Sequence, residues 1–104
     1  MYEYFDLDLQ NIEFEWDEIK EAINFRKHGI HFSTAIKVFK DEHKLIRYDE
    51  EHPFEERYDV LGKVGSVLFV VCTFRESNTI RIISARKANV DERRRYEYGQ
   101  SENE

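Results

Sequence analysis

The amino-acid sequence predicts an α+β domain, and three observations carry that prediction. Apolar residues recur at the three- and four-residue spacing of a helix in two segments of the amino half. Four segments rich in Ile, Val, Phe and Tyr follow in the carboxyl half, separated by residues that favour turns. A helix start signal then returns near the end. We therefore expect two N-terminal helices packed on a mainly antiparallel sheet of about four to five strands, with a C-terminal helix.

The first helix is predicted from Glu18 to His28. Asp17 can cap its N-terminus, and Gly29 stands where a left-handed C-cap residue is expected. Four side chains follow the i, i+3, i+4, i+7 spacing, so we expect them to face the core, with the last at the edge of the stripe. They are Ile19, Ala22, Ile23 and Arg26.

A second helix is predicted between Ser33, as its N-cap, and Asp41. Its core-facing positions share helical spacing and are Phe32, Ala35, Ile36 and Phe39. Ahead of the first helix, the segment "FEW" predicts a short strand with Phe14 and Trp16 on one side.

The strand segments of the carboxyl half are "KLIRYDEE", "ERYDVLGK", "SVLFVVCTFRE" and "TIRIISARKA". The turns between them fall at His52 with Pro53, at Gly62 to Gly65, and at Ser77 with Asn78. Because such short connections join antiparallel neighbours, this half is predicted to be a meander. The run "VLFVVCTF" is apolar at nearly every position, as expected for a central strand covered on both faces. The first two helices would cover one face and the last helix the other.

The last helix is predicted from Val90 to about Tyr98. Asn89 as N-cap and Glu92 three residues later form a capping box. The tail after Gly99, "QSENE", has no apolar residue to hold it and is expected to be frayed.

Length and composition indicate one compact domain, because 104 residues with 40% hydrophobic content suffice for a core without disulfides. The single cysteine, Cys72, lies in the apolar run, so we interpret it as a reduced core residue of a cytosolic protein. The amino terminus lacks the basic start and apolar stretch of a signal peptide, and no run of about 18 apolar residues occurs. We expect a soluble, cytoplasmic protein without membrane contact.

The formal net charge of -6 hides blocks of opposite sign. Acids dominate residues 1–24 and 41–60, whereas bases dominate residues 25–40 and 61–88. Such segregation predicts one anionic and one cationic surface. The alternative is that ordinary helix and strand faces produce the clustering.

The last strand concentrates cations. Because alternate residues of a strand share a face, Arg81 and Lys87 are expected on one face and Arg86 on the other. A β-bulge near Ser84 would change that alternation.

Two further arginines lie nearby: Arg75 closes the preceding strand across a tight turn from Arg81, and Arg57, at the start of an earlier strand, can lie on the same sheet face as one of these arginines. Planar guanidinium groups bind phosphate oxygens in pairs, so a shared face would form a site for a polyanion. The alternative is that ion pairs occupy these side chains, Asp59 or Glu55 pairing with Arg57 and Glu76 with Arg75.

Signatures of metal or nucleotide-phosphate sites do not accompany these cations. The four histidines have neither a cysteine pair nor the His-Glu-x-x-His spacing beside them. Gly62 and Gly65 lie in a predicted hairpin rather than in a strand-to-helix turn. We predict no metal and no cofactor.

Three stretches are specific when they are taken together: "FEWDEIKEAINFRKHGIHFSTAIKVFKD", "ERYDVLGKV" and "IRIISARKANVDERRRYE". In order and spacing they resemble the BrnT family of bacterial type II toxins, ribonucleases of the RelE fold that are encoded beside an antitoxin called BrnA. The resemblance covers about residues 13–98. We accordingly divide the chain into an N-terminal extension over residues 1–12, a toxin domain over 13–99 and a flexible tail over 100–104.

The resemblance implies cleavage of RNA without a metal ion, in which a 2′-hydroxyl attacks the adjacent phosphate. Cations held beside that phosphate stabilise the charge that builds on it. The positions that match the family's polar motif are Lys27, His28, Arg57, Arg81, Ser84, Arg86, Lys87, Glu92 and Tyr96. Among these we predict that the phosphate clamps are Arg57, Arg81 and Arg86. Further contacts to RNA are expected from Lys27, Arg75, Ser84 and Lys87.

The proton acceptor is left open among three residues. Imidazole is the usual acid and base near neutral pH, which favours His28, although a histidine at a helix end can instead cap carbonyls. Glu92 and Tyr96 are the alternatives, the tyrosine only if neighbouring cations lower its pKa.

Two functions of different class follow from the resemblance. One is an endoribonuclease toxin that stops translation, and the other is a non-catalytic module that binds its antitoxin and acts as co-repressor of its own operon. The implied partner is a BrnA-like ribbon-helix-helix antitoxin, which we expect to cover the cationic face with an acidic or apolar segment. Because the net charge is -6, operator DNA is expected to be bound only through the antitoxin complex.

Overall fold

The computed structural model describes residues 11–51, 54–76 and 78–102. Its elements in chain order are β1 (Glu13–Glu15), α1 (Glu18–His28), α2 (Phe32–Ala35), a 3-10 helix (Ile36–Lys40), β2 (Leu45–Asp49), β3 (Arg57–Val64), β4 (Ser66–Arg75), β5 (Thr79–Lys87) and α3 (Val90–Glu102). The α+β class and the four strands of the carboxyl half are confirmed.

The five strands form one sheet in the order β1-β5-β4-β3-β2. The meander from β2 to β5 is antiparallel throughout, as predicted. The strand at "FEW" joins the outer edge of β5 and runs parallel to it, pairing Glu13 with Thr79 and Glu15 with Arg81. A mainly antiparallel sheet of five strands results.

The bounds and caps of α1 are confirmed. One carboxylate oxygen of Asp17 accepts hydrogen bonds from the N–H groups of Ile19 and Lys20. Gly29 has the left-handed φ of 72° and donates its N–H to the carbonyl of Phe25.

The predicted core stripe of α1 is wrong. Ile19 and Ile23 are 73% and 56% exposed, and Ala22 and Arg26 are exposed as well. The residue that α1 buries is Asn24. Helical spacing identified the apolar positions, but these are not the positions that α1 buries.

Asn24 docks α1 onto the edge of β5. Within the described ranges, β1 pairs with that edge only as far as Arg81, which leaves the following residues without a strand partner. The Asn24 amide fills the gap, because it donates to the Ala85 carbonyl at 2.8 Å and accepts from the Ala85 N–H at 3.1 Å. It also donates to the carbonyl of Ile30 at 3.1 Å, which fixes the connection to α2. A single side chain thus pairs with the backbone as a neighbouring strand would.

The start of α2 differs from its prediction. The helix begins at Phe32 with His31 in the N-cap position, so Ser33 is already helical rather than the cap. The Phe32 N–H is bound by Glu21 of α1 at 3.3 Å. Among the predicted core positions, Phe32, Ala35 and Phe39 are buried, whereas Ile36 is half-buried.

Gly62 belongs to β3 and not to the predicted turn. A Cβ at this position would lie 2.6 Å from the Cβ of Val38, so only glycine lets the 3-10 helix pack this closely on the strand. The turn itself uses Gly65, at a φ of 73°. In the next turn Asn78 adopts a φ of 58°, while Ser77, like the predicted turn at His52 and Pro53, lies outside the described residues.

The capping box at the start of α3 is confirmed. Asn89 Oδ1 accepts from the Glu92 N–H at 2.8 Å, and Glu92 Oε1 accepts from the Asn89 N–H at 2.8 Å. The helix continues to Glu102, past its predicted end at Tyr98. Gly99 lies inside it, where a Cβ would stand 3.3 Å from a methyl carbon of Leu45, so this glycine serves close packing rather than helix termination.

Buried side chains lie on both faces of β4, as its apolar sequence predicts. The larger cluster lies under α2 and contains Cys72, which is fully buried; burial raises the pKa of its thiol, as expected for a core residue. Ile12 packs against this cluster, whereas residues 1–10 of the predicted extension lie outside the described residues. The smaller cluster lies under α3 and comprises Leu61, Val67, Ala88 and Tyr96. None of the helices in the described part of the chain has the length and apolar character that crossing a bilayer requires.

Candidate functional site

The sheet face that carries the smaller cluster also carries the predicted cations, and we call it the open face. The strand register aligns its side chains in three rows across β2, β3, β4 and β5. The second row is Arg47, Asp59, Val71 and Ser84, and the third is Leu45, Leu61, Phe69 and Arg86. The first row is Asp49, Arg57, Thr73 and Arg81, in which Arg57 and Thr73 are aligned by extending the register of Tyr58 with Cys72 by one residue. The smaller cluster under α3 begins at the third row, so the first two rows form the accessible part.

A β-bulge brings Arg81 and Arg86 onto this same face. Val71 pairs with Ser84 but the next residue, Cys72, pairs with Ile82, so β5 contains one extra residue at this point. Simple alternation would place the two arginines on opposite faces of the sheet. The extra residue shifts the alternation by one position, so both side chains lie on the same face. The β-bulge near Ser84, which the sequence analysis considered as a possibility, is therefore present.

Three arginines gather at the first-row end of the open face, and we call them the arginine cluster: Arg57, Arg75 and Arg81. Arg57 and Arg81 lie in one row on either side of β4, which places their backbones about 10 Å apart. Arg75 lies two residues beyond Thr73 on β4 and is exposed. Hydrogen bonds from Arg57 are the main cause that lowers the pKa of the Glu55 carboxyl, and the charges of Arg57, Lys20 and Arg75 lower it further.

Carboxylates pair with two members of the cluster. Arg57 binds Glu55 through two nitrogens at 3.0 and 2.9 Å, and Arg81 binds Glu15 at 2.5 Å. The side chains of Glu55 and Glu15 are 44% and 42% exposed. Exposed ion pairs contribute little free energy, so a stronger anion can displace these carboxylates. Among the described residues, Arg75 has no ion pair.

Arg86 is held more rigidly. Its two terminal nitrogens bind the two carboxylate oxygens of Glu92 at 2.7 and 2.9 Å, and its guanidinium lies 4.2 Å from the ring centroid of Phe69. Burial disfavours the charged form of Glu92, but hydrogen bonds from Arg86 and from the Asn89 N–H outweigh burial and lower its pKa. Glu92 thus fixes Arg86 and caps α3, and these bonds make it a poor proton acceptor.

A groove of about 570 Å³ lies on the open face beside Arg86. We call it the acidic groove, and its lining residues are Arg47, Tyr48, Asp49, Glu50, Glu51, Asp59, Phe69, Val71, Arg86 and Glu92.

Asp59 is a residue that sequence reasoning treated only as a partner for Arg57. The register places it opposite Arg47 instead, and Arg47 donates to its Oδ2 at 2.9 Å. Asp59 is only 3% exposed, and its Oδ1 has no hydrogen-bond partner in the described structure. Burial, opposed by Arg47 and reinforced by the charge of Asp49, raises its pKa. A carboxylate in the middle of the strand "RYDVLG" was the available signal.

Four of the remaining predicted residues lie apart from the arginine cluster. Lys27 and His28 are exposed in the last turn of α1, which borders the edge of β5. Lys87 pairs with Leu68 and so lies on the sheet face that α2 covers, exposed at the end of β5. Ser84 does lie on the open face, half-buried opposite Val71.

Tyr96 anchors α3. It is buried in the smaller cluster and donates its hydroxyl hydrogen to Asp41 Oδ2 at 2.5 Å. Burial first, and then the Asp41 carboxylate, raise the pKa of Tyr96. The condition for a role as proton acceptor, cations that lower this pKa, is therefore not met.

The described part of the chain contains no group of three or more His, Cys, Asp or Glu side chains arranged to hold a metal ion.

Comparison with known proteins agrees with this geometry. A family model described as "Ribonuclease toxin, BrnT, of type II toxin-antitoxin system" matches residues 16–92. The chain belongs to the BrnT family. The matched range contains Arg57, Arg75, Arg81 and Arg86, and the resemblance found in the sequence is confirmed.

A solved BrnT structure has the same fold. The ribonuclease toxin BrnT of Brucella abortus, determined at 1.1 Å resolution, aligns with a TM-score of 0.62 at 22% identity, over 75% of this chain and 97% of that chain. No curated protein matches the sequence. The chain is thus a member of a family of ribonuclease toxins, and membership of a type II system implies an antitoxin partner.

Proposed function

We propose that this protein is an endoribonuclease toxin that cleaves RNA without a metal ion, inhibits translation, and is neutralised by a BrnA-like ribbon-helix-helix antitoxin in the cytoplasm. The observation that carries the proposal is the arginine cluster, three guanidinium groups that the register brings to one end of a sheet face. Family membership supplies the ribonuclease class.

The chemistry needs little beyond such cations. When a 2′-hydroxyl attacks the neighbouring phosphate, negative charge grows on the phosphorane oxygens, and guanidinium groups already held nearby lower the barrier. Arg57 and Arg81 would bind the scissile phosphate from two strands, with Arg75 between them. Glu55 and Glu15 hold these side chains in place until RNA displaces them.

Arg86 is assigned a neighbouring phosphate. It lies two rows from Arg81 along β5, about 13 Å away, so it cannot share one phosphate with the whole cluster without leaving Glu92. Ser84 lies in the row between them. Of the three proton acceptors considered from the sequence, Glu92 and Tyr96 are held in hydrogen bonds and His28 lies apart from the arginine cluster, so none of the three is assigned this role.

Growth arrest on induction tests the proposal. The variants Arg57→Ala, Arg75→Ala and Arg81→Ala each remove a cation worth about 2.7 to 4 kcal/mol of transition-state stabilisation, a loss of roughly 100- to 1,000-fold in rate. We expect them to accumulate as folded protein and to be non-toxic. The matched control is Arg94→Ala, which removes an exposed arginine from α3 and should stay toxic.

Full toxicity of all three cluster variants would contradict the assignment. If the wild-type protein binds its antitoxin but never cleaves RNA, the co-repressor function takes its place. In either case we propose that operator DNA is contacted mainly by the antitoxin, because this chain is acidic overall.

A further inference from the structure

We infer that the acidic groove is a docking site for arginine or lysine side chains of the antitoxin. The inference rests on the proposed function only in taking that antitoxin as the partner. It reverses the sign of the antitoxin segment expected from the sequence, because the groove and the arginine cluster have opposite charge although they share the open face.

The first argument is charge. Five of the side chains lining the groove are carboxylates and two are guanidiniums. Both guanidiniums already lie in ion pairs, Arg47 with Asp59 and Arg86 with Glu92. Glu50 and Glu51 stand exposed on the rim. This excess of carboxylates attracts a cationic side chain.

The second argument is the buried oxygen of Asp59. A buried acceptor without a hydrogen bond costs free energy, so a donor supplied by a partner at this position would be stabilising. Asp59 lies in the groove wall at 3% exposure, with Oδ2 bound by Arg47 and Oδ1 unsatisfied. A guanidinium or ammonium group reaching this wall would supply the missing donor.

The third argument is the apolar surface beside these carboxylates. Phe69 and Val71 line the groove. Arginine and lysine place their methylene stems on such surfaces, and an aromatic ring attracts the charged head. A metal ion fits less well, since the described residues offer no cluster of three or more ligands.

Occupation of the groove would also explain inhibition. Arg86 lines the groove, and the arginine cluster lies at the first-row end of the same face. A basic segment seated here would place the rest of the antitoxin across the RNA-binding surface. The antitoxin would then block RNA binding sterically, without an acidic segment that binds the arginine cluster.

The test compares Glu50→Lys with Glu18→Lys, two exposed glutamates whose replacement changes the net charge equally. Binding is measured with the purified antitoxin and with a hexa-arginine peptide, at low and high salt. We expect Glu50→Lys to weaken both interactions by roughly tenfold at low salt and to flatten their salt dependence. Glu18→Lys should leave the antitoxin affinity unchanged.

A second variant, Asp59→Asn, addresses the groove wall. The amide keeps the shape of the side chain but replaces one acceptor oxygen by a donor, so antitoxin affinity should fall while thermal unfolding confirms the fold. Unchanged antitoxin affinity in both Glu50→Lys and Asp59→Asn would overturn the inference, and so would a large gain of RNA affinity in Glu50→Lys without any effect on the antitoxin. RNA cleavage by the wild type is assayed in parallel, so a failure of the proposed function is recognised separately.

Discussion

Asp41 shows how one side chain connects three elements. Its Oδ2 accepts from the Tyr96 hydroxyl of α3 and, at 2.7 Å, from the Lys63 N–H of β3, and its Oδ1 accepts from the His43 N–H at 2.9 Å. Burial alone would raise its pKa, but these hydrogen bonds outweigh burial and lower it. The carboxylate form is therefore the one that the fold stabilises.

Acid should weaken this connection. Because the pKa of Asp41 is lower in the folded protein than its ordinary value of 3.8, its contribution to stability is present above that value and is lost as the pH falls through the folded-state pKa. We expect Asp41→Asn to have a lower free energy of unfolding than the wild type at neutral pH, and we expect this difference to shrink on acidification. Urea unfolding of both proteins between about pH 7 and pH 3 measures the difference.

If the difference in unfolding free energy between Asp41→Asn and the wild type is constant across this pH range, the hydrogen bonds of Asp41 do not stabilise its charged form.

Among the elements, α1 illustrates where sequence reasoning succeeded and failed. Its bounds and both caps could be predicted, because Asp17 and Gly29 act on backbone groups a few residues away. Its buried face could not, because Asn24 meets Ala85 across 61 residues of sequence. Nothing local distinguishes an asparagine that completes a sheet edge from one in solvent.

This docking predicts an unusual order of mutational effects. Asn24→Ala leaves the N–H and carbonyl of Ala85 without partners, and each buried unsatisfied group costs about 1 to 3 kcal/mol. Ile23→Ala removes a larger apolar side chain, but from an exposed position, and should change stability by less than about 0.5 kcal/mol. Chemical denaturation of both variants tests this, and an equal or larger loss in Ile23→Ala would show that α1 packs through its apolar stripe.

At the scale of the whole molecule, the sequence predicted separate anionic and cationic surfaces, and the structure places both on the open face. The arginines were identifiable from sequence because few other cations interrupt β-strand segments. Their ion-pair partners were identifiable only in part. Glu55 was one of two candidates for Arg57, whereas Glu15 of β1 is separated from Arg81 by 66 residues of sequence. The role of Asp59 depended on the register of β2 and β3, which turn composition does not determine.

The most direct test of the central claim is cleavage of RNA by the purified protein in excess EDTA, with identification of the new ends. Attack by a 2′-hydroxyl beside the arginine cluster predicts 2′,3′-cyclic or 3′-phosphate ends and a single-turnover rate that falls roughly 100- to 1,000-fold in Arg81→Ala but not in Arg94→Ala. Cleavage that requires added magnesium and leaves 5′-phosphates, or an Arg81→Ala rate equal to that of the wild type, would contradict the account.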